Sequence, residues 1–302
     1  MEGVCGRSVP SVILSRLWGG SINAANVIMQ LAVPGVGQGV IESAVHSGRA
    51  DLHPVKRART TTTYLAVAVF GNEDDRAYVR EAVRRIHAGV VSGPDSVTPY
   101  SANSPKLQLW VAVCLLKYFV DQYEYLHGPL TDAEYERVLR DGATLGTTLN
   151  VRPGAWPVTR EEYDSVWRAG LDEVSMTDEV RTYLAALADL RFLEVRLGRA
   201  GYAIHRALGR PFRLVTRGAL PPEFRAVMEF EWSSDDQRAF ARYLRLLRAV
   251  HRLTPGLWSI PWKAYLVDLR LRRRLGLPVF WHAAAPVSGW PEYRPHRTGS
   301  YS

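Results

Sequence analysis

Cysteine and lysine are scarce in this 302-residue chain. Its two cysteines, Cys5 and Cys114, lie far apart. They exclude a disulfide framework and a cysteine-based metal centre, and Cys114, inside an apolar run, reads as a small core residue. Four of the 38 basic residues are lysines (Lys56, Lys106, Lys117 and Lys263), so the other 34 are arginines. Long apolar runs are missing too. The longest, residues 107–116, contains Gln108 and is far short of the roughly 20 residues a bilayer crossing needs. No membrane span is expected. The N-terminus has no basic segment leading into an apolar stretch, so the expected location is the cytoplasm. The chain also lacks a phosphate loop, a nucleophile elbow and any histidine pair at zinc-binding i, i+4 spacing, which leaves the common nucleotide, hydrolase and zinc chemistries unsupported.

What is present is an ordinary globular balance, 47% hydrophobic and 23% charged, with a net charge of +8. The arginines fall singly or in pairs, usually beside Asp or Glu, apart from the cluster Arg270, Arg272, Arg273 and Arg274. That scatter predicts solvated helix faces and no nucleic-acid partner, because a polyanion requires the charge on one face.

Helix signals recur along the chain. Thr131 with Glu134, Thr159 with Glu162 and Ser234 with Gln237 have capping-box spacing. Thr177 before two acids, and Ser104 before Pro105, mark further starts. Apolar residues between these starts recur every three or four positions, as in Tyr183, Leu184, Leu187 and Leu190. Only residues 60–69, rich in Thr and Val, have competing strand propensity. The expected fold is all-α: a single-domain bundle of about ten helices, with residues 1–277 as the domain and 278–302 as a loop-rich tail. Residues 201–222 read as a second irregular region. The run Gly35-Val-Gly-Gln-Gly39 reads as a turn after Pro34 leading into a helix.

Two polar intrusions into apolar patterns are candidates for chemistry. In residues 73–91, expected to form one helix, His87 shares a stripe with Val79, Val83 and Val90. A buried imidazole there needs a hydrogen-bond partner or a metal, since an unsatisfied polar group costs roughly 1–3 kcal/mol. Arg57 and Thr61, four residues apart, share a face with Tyr64, Leu65 and Ala68. An arginine on that face calls for an anion, either a carboxylate or a cofactor propionate or phosphate, or else it snorkels to the surface. Six of the other seven histidines read as solvated loop residues (His53, His127, His282, His296) or surface residues (His205, His251).

At these residues the chain resembles the haem-dependent oxygenases that include the bacterial latex-clearing rubber oxygenases and the fungal oxygenase of mycophenolic acid biosynthesis. The matching pieces run in order. They are Met29-Gln-Leu-Ala-Val-Pro34 with Gly39-Val40, Pro54-Val-Lys-Arg57 with Thr61, the segment from Tyr64 to Gly71, and Arg84-Arg-Ile-His-Ala-Gly-Val90. Then come Tyr100-Ser-Ala-Asn-Ser-Pro105, Leu109-Trp-Val111, Leu145-Gly146, Trp156-Pro-Val-Thr159 and Ala219-Leu-Pro-Pro222 with Phe224-Arg225. Together they span about residues 12 to 275.

The resemblance implies an all-α fold around a b-type haem, with iron carried by His87 and the Arg57/Thr61 pair near the haem. Glu42 falls about where a catalytic base aligns. Departures from the family pattern are Val33 and Ala112, where many members have His, and Thr60, where the rubber oxygenases have Lys. A lysine sealing the distal iron position is therefore not expected. The implied activity is oxidation of a small, largely apolar metabolite, of the kind found in secondary metabolism, by dioxygen. The alternative is a haem- or ligand-binding helical protein without oxygenase activity, and behind it a haem-free binding module. Oligomeric state and electron donor are not set by the sequence.

Overall fold

Most helices in this chain begin either where a side chain satisfies the free N–H groups of the first turn or at a proline, as at Pro34, Pro54, Pro105 and Pro222. Asn72 with Asp75, Thr131 with Glu134, Thr159 with Glu162, and Ser233 with Asp236 each form a reciprocal capping box. The last lies one residue before the Ser234/Gln237 pair expected from spacing. In the computed structural model, which describes residues 20–42, 49–254 and 260–279, the helices are α1 (Gly20–Leu31), α2 (Pro34–Ile41), α3 (Pro54–Phe70), α4 (Glu73–Ala88), α5 (Pro105–His127), α6 (Asp132–Thr148), α7 (Arg160–Leu171), α8 (Asp178–Ala188), α9 (Glu194–Leu197), α10 (Arg199–Ala219), α11 (Pro222–Val227), α12 (Ser234–Leu253) and α13 (Ile260–Arg274). Among the described residues the only β pairing is one antiparallel bridge between Val91 and Ser101. The fold is all-α, with more and shorter helices than the ten expected.

α5 is the spine. Trp110, Val113, Cys114, Leu116, Phe119 and Val120 are all buried, and the helix packs against α1, α6, α7 and α12. A helix apolar on every side must be enclosed by others. Cys114 lies in this core, where burial pushes its thiol pKa well up.

Four local expectations change. Residues 60–69 are helical: the Thr60 and Thr62 hydroxyls donate to the Lys56 and Ala58 carbonyls at 2.9 and 2.8 Å, and α4, α6 and α13 bury the helix. Tertiary packing overrides the strand propensity there. Residues 201–222 are mostly the long helix α10, which carries Pro211 inside it. Its face toward the bundle includes Gly209, where a Cβ would lie 2.7 Å from the Asp189 carbonyl; the glycine is there for close packing, not for a loop. α4 stops at Ala88, short of Val91. His251, expected at the surface, is buried, with its ring edge-on to His127 at 5.5 Å. Cys5, His282, His296 and the tail from residue 280 lie outside the described residues.

No single described helix is long and apolar enough to cross a membrane. α1 and α2 reach the length only as a pair bent by 106°, and their apolar residues Ile28, Met29, Leu31 and Ile41 lie in the core.

Asp75 ties the far end of the bundle together. It completes the α4 capping box and, 3% exposed, also accepts from Arg270 at 2.8 Å and Arg273 at 3.2 Å, fixing α13 against α4. Losing a cap and leaving two arginines without their anion costs about 2 kcal/mol for Asp75→Ala. Urea denaturation checks this: Arg270→Ala, which leaves Arg273 in place, is expected to cost under about 1 kcal/mol.

Candidate functional site

The site begins with a break in a helix. α1 ends at Leu31 and α2 starts at Pro34, which has no N–H to give the Gln30 carbonyl. The Trp110 indole N–H supplies it, 3.2 Å from the Met29 oxygen and 3.3 Å from that of Gln30. The Ser175 N–H donates to the Ala32 carbonyl at 3.0 Å. With the break satisfied, α2 turns across the bundle. The glycine run expected to be a turn is inside α2, and Gly35 and Gly39, one helical turn apart, face the interior. A Cβ would lie 2.9 Å from Leu107 at the first position and 3.4 Å from the Tyr100 ring at the second. Both glycines thus let Leu107 and Tyr100 pack closely against α2 at the edge of a shared space.

That space is a cavity of about 230 Å³. Gln30, Gly35 and Gly39 form one side of it. α3 contributes Lys56, Arg57, Thr60, Thr61 and Tyr64; α4 contributes Val83, Ile86 and His87; Tyr100, Ala102, Leu107, Gln108 and Val111 complete the walls. A void more than tenfold larger than one water requires is a built feature, not a packing defect. The segment around Tyr100 is held beside His87 by hydrogen bonds from Ser92 N to Tyr100 O and from Ala102 N to Val90 O, both 2.9 Å.

His87 and Arg57 share this cavity. His87 Nδ1 is sealed from solvent without a hydrogen-bond partner. Burial, and secondarily the charge of Arg57, pull the imidazole pKa down to about 4, with the Ala102 carbonyl opposing. The ring is therefore neutral at physiological pH and has a lone pair to give. A half-turn about χ2 exchanges Nδ1 with Cδ2 and Nε2 with Cε1, so either ring edge can present a nitrogen to the cavity. The Arg57 guanidinium makes no hydrogen bond or ion pair with any described residue, and burial lowers its pKa, opposed by Tyr183. Tyr64, between them on the wall, donates its hydroxyl to the Leu145 carbonyl, and burial raises its pKa.

A second cavity of about 270 Å³ adjoins the first, and Gln30, Leu31, Val40, Arg57, Thr61 and Leu115 line both. His87 and its α4 neighbours line only the first; Tyr118, Tyr183, Leu187, Leu190, Phe192, Phe212 and Trp262 line only the second. Its polar side chains are largely occupied: Asn26 donates to the Cys114 carbonyl, Tyr118 donates to Asn23, and the Tyr183 hydroxyl accepts from the Ala50 N–H. Arg57 and Thr61 are the groups at the junction with capacity to spare.

The structure thus brings Arg57, Thr61 and His87 to one cavity but does not bring Glu42 to it. Glu42 ends α2 at the C-cap, where its charge acts on Tyr100. Val33 and Ala112 are buried in the core and line neither cavity, so they do not alter the polar lining. Lys56, one turn before Thr60, does line the first cavity. Sequence reasoning passed over Gly35, Gly39 and Tyr100. The i, i+4 glycine spacing within a helix is the one signal that pointed to the first two. Among the described residues no three His, Cys, Asp or Glu side chains converge on a point.

The family described as "ER-bound oxygenase mpaB/B'/Rubber oxygenase, catalytic domain" matches residues 12–249. Uncharacterized proteins of Mycobacterium tuberculosis and Mycobacterium bovis are each 50% identical over 255 residues, covering 84% of this chain and 97% of theirs. No solved structure matches.

Two predictions follow from the cavity. An unpaired charge surrounded by protein is a cost, so Arg57→Met is expected to stabilise the ligand-free protein by on the order of 1 kcal/mol; a lower denaturation midpoint would contradict this. His87 has a folded pKa below its unfolded value of about 6.5, so its neutral state contributes stability that is complete above pH 6.5 and is lost as pH falls toward about 4. Ligand-free His87→Phe should show a shallower stability loss across that window.

Proposed function

The chain belongs to the mpaB/rubber oxygenase family of oxygenase catalytic domains, and from that premise we propose that it is a haem b-dependent oxygenase. In this reading haem occupies the first cavity with iron on His87, and dioxygen oxidises a small, largely apolar organic substrate in the second. One observation carries the proposal: a neutral imidazole with a partnerless nitrogen and an unpaired guanidinium line the same cavity. Each is expensive alone, and a cofactor that presents a metal and an anion together resolves both.

The donor set fits this group. Without three converging ligands a bare ion has no cage among the described residues, whereas haem iron needs one protein ligand because the macrocycle supplies the others. When bound, haem b supplies an iron centre that takes up dioxygen for oxidation chemistry. The protein's own groups do the rest. His87 gives its lone pair, and the Ala102 carbonyl beside the ring can hold the other N–H, fixing tautomer and orientation. Arg57 neutralises a propionate or places positive charge at the distal side. The Thr61 hydroxyl is a hydrogen-bond donor on the wall common to both cavities. Gly35 and Gly39 add no side chain to the cavity wall. Val27, Leu31, Leu65, Leu115, Leu187 and Trp262 give the second cavity a largely apolar lining, which favours a mainly apolar substrate. A second reading, haem binding without oxygenase activity, rests on the departures from the family pattern at Val33 and Ala112, although neither residue lines either cavity.

Oxygen uptake by the haem-loaded protein separates these readings. With a panel of terpenoid and alkyl-aromatic compounds, substrate-dependent uptake is expected, and His87→Ala is expected to abolish it. Gly39→Leu, which places a side chain in the cavity, should fold yet fail to retain haem. Haem retention with no uptake for any compound supports the second reading, and uptake unchanged in His87→Ala overturns the first.

A further inference from the structure

Nine of the arginines expected to be scattered lie together on one surface. On α10, Arg199, Arg206, Arg210, Arg213 and Arg217 recur at helical spacing and fall on one stripe. On α12, Arg238, Arg242, Arg245 and Arg252 do the same. The two helices pack together, and Arg210, Arg213, Arg217, Arg238 and Arg242 line a single open groove between them. Two acids answer them there, and both are engaged: Asp236 with Arg217 at 2.9 Å, and Asp235 with Arg238. The side chains of Arg206, Arg210, Arg242 and Arg245 make no hydrogen bond or ion pair among the described residues and are exposed. Apolar side chains stand among them: Leu246 is 64% exposed and Leu253 82%, with Tyr202 at 52% on α10.

We propose that the α10–α12 face docks on an anionic phospholipid bilayer, with the arginines on lipid phosphates and Leu246 and Leu253 entering the interface. Charge complementarity selects an anionic partner, since repulsion between arginine stripes opposes a second copy of this chain on the same face. The exposed leucines select a bilayer over a nucleic acid: a phosphate backbone gains nothing from them, whereas burying apolar side chains at the acyl boundary is what holds an amphipathic basic helix on a membrane. Seven helical positions of α10 separate Arg206 from Arg213, and Phe212, within that stretch, lines the second cavity from the opposite side of the helix. Docking therefore sets the bilayer one helix away from that cavity. This last link rests on the cavity being the substrate's; the docking itself does not.

Vesicle flotation of the full-length protein, with or without haem, tests the docking. The protein is expected to float with vesicles of phosphatidylcholine and phosphatidylglycerol, to stay behind with phosphatidylcholine alone, and to be released by salt. Each phosphate-facing arginine contributes about fivefold to such partitioning, so Arg242→Gln with Arg245→Gln should weaken it on the order of twentyfold with an unchanged melting temperature. Leu246→Ser with Leu253→Ser should weaken it at low and high salt alike. Equal flotation with neutral vesicles, or no loss in the arginine pair, overturns the proposal. So does a nucleic-acid duplex that displaces the vesicles and binds the leucine variant as tightly as wild type. A dimer in sedimentation that the arginine pair dissolves would make the face a contact between copies and overturn it too.

Discussion

A guanidinium that faces a cavity without a counter-anion is the constraint around which this molecule is arranged. Arg57 is surrounded by protein, has no carboxylate near it among the described residues, and depresses the pKa of the one histidine on the same cavity. A fold optimised for stability alone would replace it with an apolar residue, because an uncompensated charge surrounded by protein is among the costlier arrangements a protein retains. Its presence is intelligible if the folded, working state includes an anion. The same cavity is bordered by two glycines on a helix that the Pro34 break turns across the bundle, a break satisfied by the Trp110 indole N–H. Core packing, helix termination and charge placement converge on one space.

Much of this was legible in the residues. Capping pairs and three-to-four periodicity identify the helices, and local capping chemistry is what places their starts. The Arg57, Thr61, Tyr64 spacing puts an arginine on a buried face, and the Val79, Val83, His87 stripe does the same for a histidine; the structure brings both stripes to one cavity. Other features depend on contacts between segments distant in sequence. The threonine-rich stretch of α3 is helical because three other helices enclose it. α10 has a proline and glycines, and only its packing against α1 and the Asp189 carbonyl shows these to be close-approach positions. Tyr100 and Ala102 reach His87 through a bridge between Val91 and Ser101, a pairing too short to leave a pattern. Glu42, aligned by sequence, caps α2 outside the cavity wall.

The arginine excess divides into two kinds in three dimensions. Among the described residues, eight arginines pair locally with an acid three or four residues away, as Arg84 does with Glu81 and Arg160 with Asp164, and others anchor helices, as Arg270 and Arg273 do. A minority, on α10 and α12, stand without partners on one face. Net charge alone does not distinguish these kinds, since it counts residues and not directions. The protein therefore has one unpaired arginine turned inward and several turned outward, and each kind points to an anion that the chain itself does not supply.

The most direct test of the central claim is a titration of the purified ligand-free protein with haem b, followed by its visible spectrum in ferric and dithionite-reduced forms. The account predicts saturation at one haem per chain, a Soret band that shifts on reduction, and an altered iron-ligand spectrum in His87→Ala. No Soret band above that of free haem, or a spectrum in His87→Ala identical to wild type, would contradict it.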